Sequence, residues 1–262
     1  MTRPVIGVGI GCGLTAAGAV AGGADLLACY STAIYRAKGL PSALAFLPYD
    51  DPNRLVRAVL PEVVAVSQGL PVIAGVGAHD PRVHLSALLN EIVSLGATGV
   101  MNEPFVGIYD GDLRAQLEAA GLGYSRELEL ARVAAKHGLQ VIGWAWNTEE
   151  AAQMAATGAS HVGLMLGITA GGRMGSKAAI SNEESHEVLA AMNAAAHQEN
   201  PEAVTLIHGG RLHGVAEVTA ALRASGADGY LGGSSLERVP VIEGLSAAVR
   251  EFTNIDFSQE GH

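Results

Sequence analysis

Cysteine is nearly absent: Cys12 and Cys29 are the only two in 262 residues. That is too few for a disulfide framework or a cysteine-held zinc site. Both fall at strand ends and read as ordinary buried thiols, with a reactive thiolate at Cys12, inside Gly11-Cys12-Gly13, as the alternative. Charge is also sparse, at 16% Asp, Glu, Lys and Arg, with a net charge of −10 and no run of Lys or Arg. This leaves no electrostatic footprint for a nucleic-acid backbone or an anionic membrane, and neither partner is expected. Glycine and polar residues break every apolar stretch before it reaches the roughly 18 residues of a membrane span. The start, Met1-Thr2-Arg3-Pro4-Val5-Ile6, lacks the apolar core of a signal peptide, so a cytoplasmic location is expected.

What the sequence has is apolar residues, 49% of the total, in a short and strictly alternating order. One signature is an apolar run opening after a turn: Pro4-Val5-Ile6-Gly7, Pro71-Val72-Ile73-Ala74, Gln140-Val141-Ile142-Gly143 and Ala203-Val204-Thr205-Leu206. The other is a Gly-Ala step followed by a β-rich run, at Gly23-Ala24, Gly96-Ala97, Gly158-Ala159 and Gly226-Ala227. Each such glycine suits a helix C-terminus that turns left-handed before a strand. Between them lie Ala- and Leu-rich segments of helical period, such as Arg54–Leu60, Leu85–Val93, Glu127–Ala134 and Glu187–Met192. Strands alternating with helices imply a parallel sheet. Same-type signatures recur about every 62 to 73 residues, and eight equivalent strands is the number that closes. The expected fold is therefore an α/β (βα)8 TIM barrel over residues 1–253, followed by a tail at 254–262, with an open doubly wound sheet as the alternative.

In a barrel, residues just past each strand converge on one face, and polar side chains there are the candidates for chemistry. After the first strand, Gly9-Ile10-Gly11-Cys12-Gly13 makes either a tight turn or a backbone cradle for a ligand, with Gly11 and Cys12 as its binding residues. Its glycine spacing does not fit a dinucleotide motif, and no nucleotide cofactor is expected. After the second strand come Ser31 and Arg36, the latter a carboxylate clamp or a plain helix arginine. His79-Asp80-Pro81 follows the third strand, as a catalytic or metal-binding pair or as a cap with Pro81 opening a helix. Asn102 and Glu103 follow the fourth, and Glu103 is a general base, a metal ligand or a solvated loop acid. If a metal takes part, Asp80 and Glu103 are its expected ligands and Mg2+, or another divalent ion, the expected metal.

Trp144 and Trp146, the two tryptophans of the chain, share a face at the end of the fifth strand and suit a pocket wall. The loop after the sixth strand carries Gly171, Gly172, Arg173 and Lys177, which suits a flap over an anion or a merely flexible loop. His208-Gly209-Gly210 and Gly233-Ser234-Ser235 end the last two strands, where barrels bind phosphate through backbone N–H groups. His208 beside them is an acid, a base or an oxyanion donor.

Taken together, several stretches resemble one family. They are Gly9–Ala16, Leu47-Pro48-Tyr49-Asp50-Asp51-Pro52-Asn53, Pro71–Val76 with Asp80-Pro81, Val106-Gly107-Ile108-Tyr109-Asp110-Gly111, Gly121-Leu122-Gly123-Tyr124, Gly167-Ile168-Thr169-Ala170-Gly171-Gly172, His208-Gly209-Gly210 and Gly233–Arg238. The chain resembles the phosphoenolpyruvate hydrolase-like family, also labelled TIM-barrel signal transduction proteins and related to the phosphoenolpyruvate mutase and isocitrate lyase superfamily. The resemblance implies a barrel, a homo-oligomer, and a hydrolase or lyase acting on a small 2-oxo acid, enol phosphate or related carbonyl compound. The sequence departs from the family pattern at Glu103-Pro104, at Met165 where a histidine is usual, and at Trp146. The expected function is cleavage of a C–C, C–P or enol phosphate bond beside a carbonyl. His208, Glu103 or His79 would move protons and the last two loops would hold an enolate or oxyanion. A Schiff-base aldolase or isomerase and a non-catalytic ligand-sensing barrel are the alternatives. For the former, no lysine stands at the end of the sixth or seventh strand.

Overall fold

Every run marked by the two signatures becomes a strand, and the order of helices and strands follows from the glycines between them. A computed structural model describes residues 3–169 and 181–255. The chain runs β1 (Val5–Ile10), α1 (Gly13–Ala21), β2 (Leu26–Cys29), α2 (Ser31–Ala37), a 3-10 turn at Ser42–Phe46, α3 (Pro52–Val66), β3 (Val72–Gly75), α4 (Leu85–Ser94) and β4 (Gly99–Met101). It continues through a 3-10 turn at Val106–Ile108, α5 (Gly111–Ala119), α6 (Tyr124–Lys136), β5 (Gln140–Ala145), α7 (Thr148–Ala155) and β6 (His161–Met165). The last elements are α8 (Asn182–Glu199), β7 (Val204–His208), α9 (Val215–Ser225), β8 (Gly229–Gly232) and α10 (Arg238–Thr253). The eight strands close into a barrel in chain order, each parallel to its neighbours, and β1 pairs with β8 to seal it. Gly23, Gly96, Gly158 and Gly226 have φ of +79°, +98°, +85° and +70°, the left-handed turn expected before the even-numbered strands.

Alternation along the strands sorts the core into two layers. Leu26, Ala28, Ile73, Met101, Ile142, Trp144, Leu206 and Leu231 fill the barrel interior. Their neighbours Leu27, Cys29, Val72, Ala74, Val100 and Val141 face the surrounding helices. Trp144 reaches across the interior only because β6 offers Gly163 opposite, where a Cβ would collide with the indole. The interior is thus packed solid, and its uppermost side chains form the floor of whatever sits above.

One local expectation is corrected. Pro81 does not open a helix: α4 starts at Leu85. The Asp80 carboxylate instead closes a turn by accepting from the backbone N–H of Arg82 and from its guanidinium. The expected flap residues Gly171 and Gly172, with Arg173 and Lys177, lie outside the described residues, as does the tail from residue 256. Among the described residues no helix is long and apolar enough to cross a membrane.

Candidate functional site

A cavity opens at the C-terminal ends of the strands, walled by Tyr30, Arg36, Glu103, Phe105, Trp144, Trp146, Met165, His208, Gly233, Ser234 and Arg238. Its volume is about 40 Å3, where one ordered water takes about 10–15 Å3 on the same scale. Only a ligand of a few heavy atoms, or the reacting end of a larger one, fits the enclosed part.

The first two helices bring their N-terminal turns to this face, and each is met by a buried glutamate. The backbone N–H groups of Ser31 and Thr32 begin α2 with no partner inside the helix. Glu103, just past β4, accepts both at 3.1 and 3.3 Å, together with the hydroxyls of Ser31 and Thr32. Burial outweighs these hydrogen bonds and pushes the Glu103 carboxyl up to about 7. Glu237 does the same for the chain entering α1, accepting from Gly11 N at 2.6 Å and from Thr15 Oγ1 at 3.1 Å. Its other oxygen takes Arg36 Nε at 3.0 Å, with both side chains buried. Arg36 Nη2 donates in turn to the Tyr30 hydroxyl at 3.3 Å, and the guanidinium lies 5.4 Å from that ring's centre.

His208 ends β7 beside Met165 of β6 and packs its ring 5.2 Å from Trp144. Its Nδ1 lies 2.5 Å from the carbonyl of Leu231. A carbonyl only accepts, so Nδ1 carries the proton and the neutral ring keeps a lone pair at Nε2. Burial, with Arg36 nearby, pushes His208 down to about 4. The imidazole is therefore neutral at pH 7 and, with Nδ1 turned to that carbonyl, has an acceptor at Nε2.

Among the described residues, two donors of the wall have no partner. Arg238 Nη1 and Trp146 Nε1 are buried and unbonded, and both residues line this cavity. Leaving a buried donor unmade costs about 1–3 kcal/mol, more when it is charged. Arg36 and Arg238 together face one glutamate, Glu237, while Glu103 is only partly ionised at neutral pH and His208 is uncharged. Among the described residues the wall thus carries more positive than negative charge.

Seven of the residues singled out from sequence meet here: Arg36, Glu103, Trp144, Trp146, His208, Gly233 and Ser234. Others serve the walls rather than the space. Ser31 is engaged by Glu103 and Gly11 by Glu237. Asn102 pins β5, accepting from Trp144 N at 2.7 Å and donating to Trp144 O at 3.2 Å. It also donates to Glu127, which burial pushes up to about 8. The Ser235 hydroxyl lies 2.6 Å from that of Tyr230, and Cys12 Sγ lies 3.5 Å from Thr15 Oγ1. Gly209 and Gly210 take φ of +84° and +56° and pack on Gly167 and Leu166. Of the two expected phosphate loops, the last lines the cavity with Gly233 and Ser234, and the other reaches it through His208 but not through Gly209 or Gly210.

His79 and Asp80 line a neighbouring cavity shared with Leu47, Pro52, Tyr109 and Leu117. The expected metal pair is not assembled. Asp80 is engaged by Arg82, whose guanidinium holds its carboxyl down to about 2, and both Glu103 oxygens are taken by Ser31 and Thr32. Among the described residues no three of His, Cys, Asp and Glu converge as metal ligands. These donors do not fit a protein-held divalent ion, and no step below is routed through one. Sequence reasoning missed Arg238, Tyr30, Phe46 and Phe105 as site members; Arg238 was visible only as the last residue of Gly233–Arg238.

Residues 1–255 match the family described as phosphoenolpyruvate hydrolase-like. The chain is 37% identical over 254 residues to the ToMV susceptible protein tm-1(GCR26) of Solanum lycopersicum, covering 97% of this chain and 34% of that protein. It thus spans about a third of that relative's length. Among solved structures, phosphoenolpyruvate phosphomutase from Streptomyces platensis subsp. rosaceus superposes with a TM-score of 0.62 at 16% identity, over 97% of this chain and 83% of that one. Oxaloacetate acetylhydrolase in complex with its product oxalate gives 0.62 at 14% identity, with the same coverage. At such identities the likeness to the solved structures is one of fold.

Proposed function

The chain belongs to the phosphoenolpyruvate hydrolase-like family, and from that premise we propose that it is an enzyme cleaving a bond beside the carbonyl or enol carbon of a small carboxylic acid. The observation that carries this reading is the pair of buried donors without a partner among the described residues, Arg238 Nη1 and Trp146 Nε1, on two residues that wall one small cavity. Phosphoenolpyruvate and oxaloacetate, which the names of the structural neighbours supply, share a carboxylate next to an oxygen-bearing carbon. Arg238 and Trp146 would hold that carboxylate by charge-assisted hydrogen bonds, with Arg36 adding positive charge where an enolate develops.

Glu103 and His208 then divide the proton work. A carboxyl that titrates near 7 has both its forms available at neutral pH, the condition under which a side chain gives and takes a proton most effectively. His208 Nε2 accepts a hydrogen bond from a substrate hydroxyl or an attacking water. A hydrolase, which adds water across the broken bond, and a lyase, which does not, use the same groups up to that point.

The test is a titration with oxalate, oxaloacetate and phosphoenolpyruvate, followed by tryptophan emission, because both tryptophans of the chain wall the cavity. Saturable quenching by at least one, weakened about tenfold or more in Arg238→Ala, is the expected result. Product analysis of the bound compound separates turnover from binding alone. Absence of binding by all three, or equal binding by Arg238→Ala, would overturn the proposal.

A further inference from the structure

The small cavity has a larger neighbour, and the two share a wall. Phe46 and Phe105 line both. Their ring centres lie 5.0 Å apart, and Phe105 meets Trp146 edge-on at 5.1 Å. A row of aromatic rings thus leads out of the anion cavity. The Tyr109 hydroxyl secures its outer end by donating to the Phe46 carbonyl, which ties the turn at Ser42–Phe46 to the residue that ends the turn at Val106–Ile108.

Beyond that wall the second cavity has a volume of about 650 Å3, against about 40 Å3 for the first. Pro104, Val106, Leu113, Leu117 and Leu122 give it apolar sides. Two of them belong to α5, which has no buried residue, and Leu113 is 55% exposed. Continuous apolar surface, unlike single scattered residues, marks a place where something docks. Apolar and aromatic walls with a few placed polar groups are the make-up of a small-molecule site.

His79 is such a polar group. Its Nδ1 is buried and has no hydrogen-bond partner among the described residues. Burial pushes the ring below its ordinary pKa, so it is neutral at pH 7. In a neutral ring this nitrogen donates or accepts according to tautomer, and a hydroxyl satisfies either form. The other ionisable residues on the cavity are Asp50, Asp51, Asp80 and Arg82. Arg82 pairs with Asp80, Asp50 pairs with Arg54, and Asp51 caps α3. The one guanidinium of these walls is already matched, and the surplus of carboxylates disfavours a second anionic group.

We propose that the acid held in the small cavity carries an uncharged aryl substituent, which runs past Phe46 and Phe105 into the second cavity and places a ring hydroxyl on His79 Nδ1. The proposal rests on the anion-site reading above and adds the far end of the substrate to it. Aromatic rings settle edge-on or offset with centres about 4.5–7 Å apart, so the phenylalanine pair favours an aryl group over an alkyl chain of equal area.

Calorimetric titration of the full chain with pyruvate, phenylpyruvate and 4-hydroxyphenylpyruvate tests it. The phenyl ring should tighten binding about tenfold or more over pyruvate, and the hydroxyl about fivefold further. Leu117→Trp, which fills the second cavity, should erase the phenyl gain and leave oxalate binding unchanged. His79→Ala should erase only the hydroxyl gain. Equal binding of the three acids, or gains that survive both substitutions, would overturn the proposal. A further probe, 4-methylphenol, has the tail without the carboxylate. Its saturation-transfer NMR signal should be the same in wild type and Arg238→Ala, and should fall in Leu117→Trp and His79→Ala. If that pattern holds while no acid binds, the anion-site reading has failed and the aryl site has not. If oxalate binds through Arg238 and 4-methylphenol gives no signal, the aryl site alone has failed.

Discussion

Arg36 Nε and Glu237 Oε2 meet at 3.0 Å in an ion pair whose side chains are 3% and 2% exposed. The pair ties α2 to the residue before α10, and the same carboxylate holds Gly11 N. Removing one partner strands the other charge in a buried site, which typically costs about 3–5 kcal/mol. Glu237→Ala is expected to lose that much in urea denaturation. The double variant Arg36→Ala/Glu237→Ala should lose clearly less than the sum of the two single changes, since it leaves no orphaned charge. Additive losses would show that the pair is not a unit.

Glu103 makes stability depend on pH in a definite direction. Burial raises its carboxyl from an ordinary value of 4.5 to about 7. Between those values the unfolded chain has already released the proton that the folded chain retains. The stabilisation from the buried neutral acid is complete below pH 4.5 and is lost as pH rises through about 7. Glu103→Gln stays uncharged throughout, so its melting temperature should gain on the wild type from about pH 5 to about pH 8 and then level off. A constant gap across that range would mean that Glu103 is ionised at all these pH values.

The barrel was legible in the sequence because its signals are local. A left-handed glycine such as Gly96 or Gly226 punctuates the chain wherever it occurs, and a run such as Gln140–Ala145 shows its pleat in its own residues. The site was legible only as a set of strand ends. Gly11, Ser31 and Asn102 stand where ligand contacts belong, yet their hydrogen bonds go to Glu237, Glu103 and Trp144. Those partners are 42 to 226 positions away. The reverse holds for Arg238: its significance is that Nη1 finds no partner among the described residues, a property that exists only once the chain is folded.

Gly107 controls the placement of Trp146. A Cβ at Gly107 would collide with the Trp146 ring, which also meets Phe105 edge-on at 5.1 Å. Gly107→Ala must push the indole out of its position on the cavity wall. Tryptophan emission should shift to the red, oxalate binding should weaken about tenfold from loss of the Nε1 donor, and global stability should fall by about 1–3 kcal/mol for overpacking. Unchanged emission would show that the indole has room to yield.

His208 gives the opposite acid-side signature. Its pKa falls from an ordinary 6.5 to about 4, because burial and the Arg36 charge disfavour the imidazolium while the bond to Leu231 only partly compensates. On acidification the unfolded chain takes up its proton first. The contribution of neutral His208 is whole above pH 6.5 and is lost as pH falls toward about 4. His208→Asn keeps a side-chain N–H for the Leu231 carbonyl but cannot titrate. Its melting temperature should start below the wild type at about pH 7.5 and approach it by about pH 4.5. A deficit that instead narrows above about pH 7 would require the folded imidazole to be protonated. Such a ring could not accept the hydrogen bond that the proposed chemistry asks of Nε2.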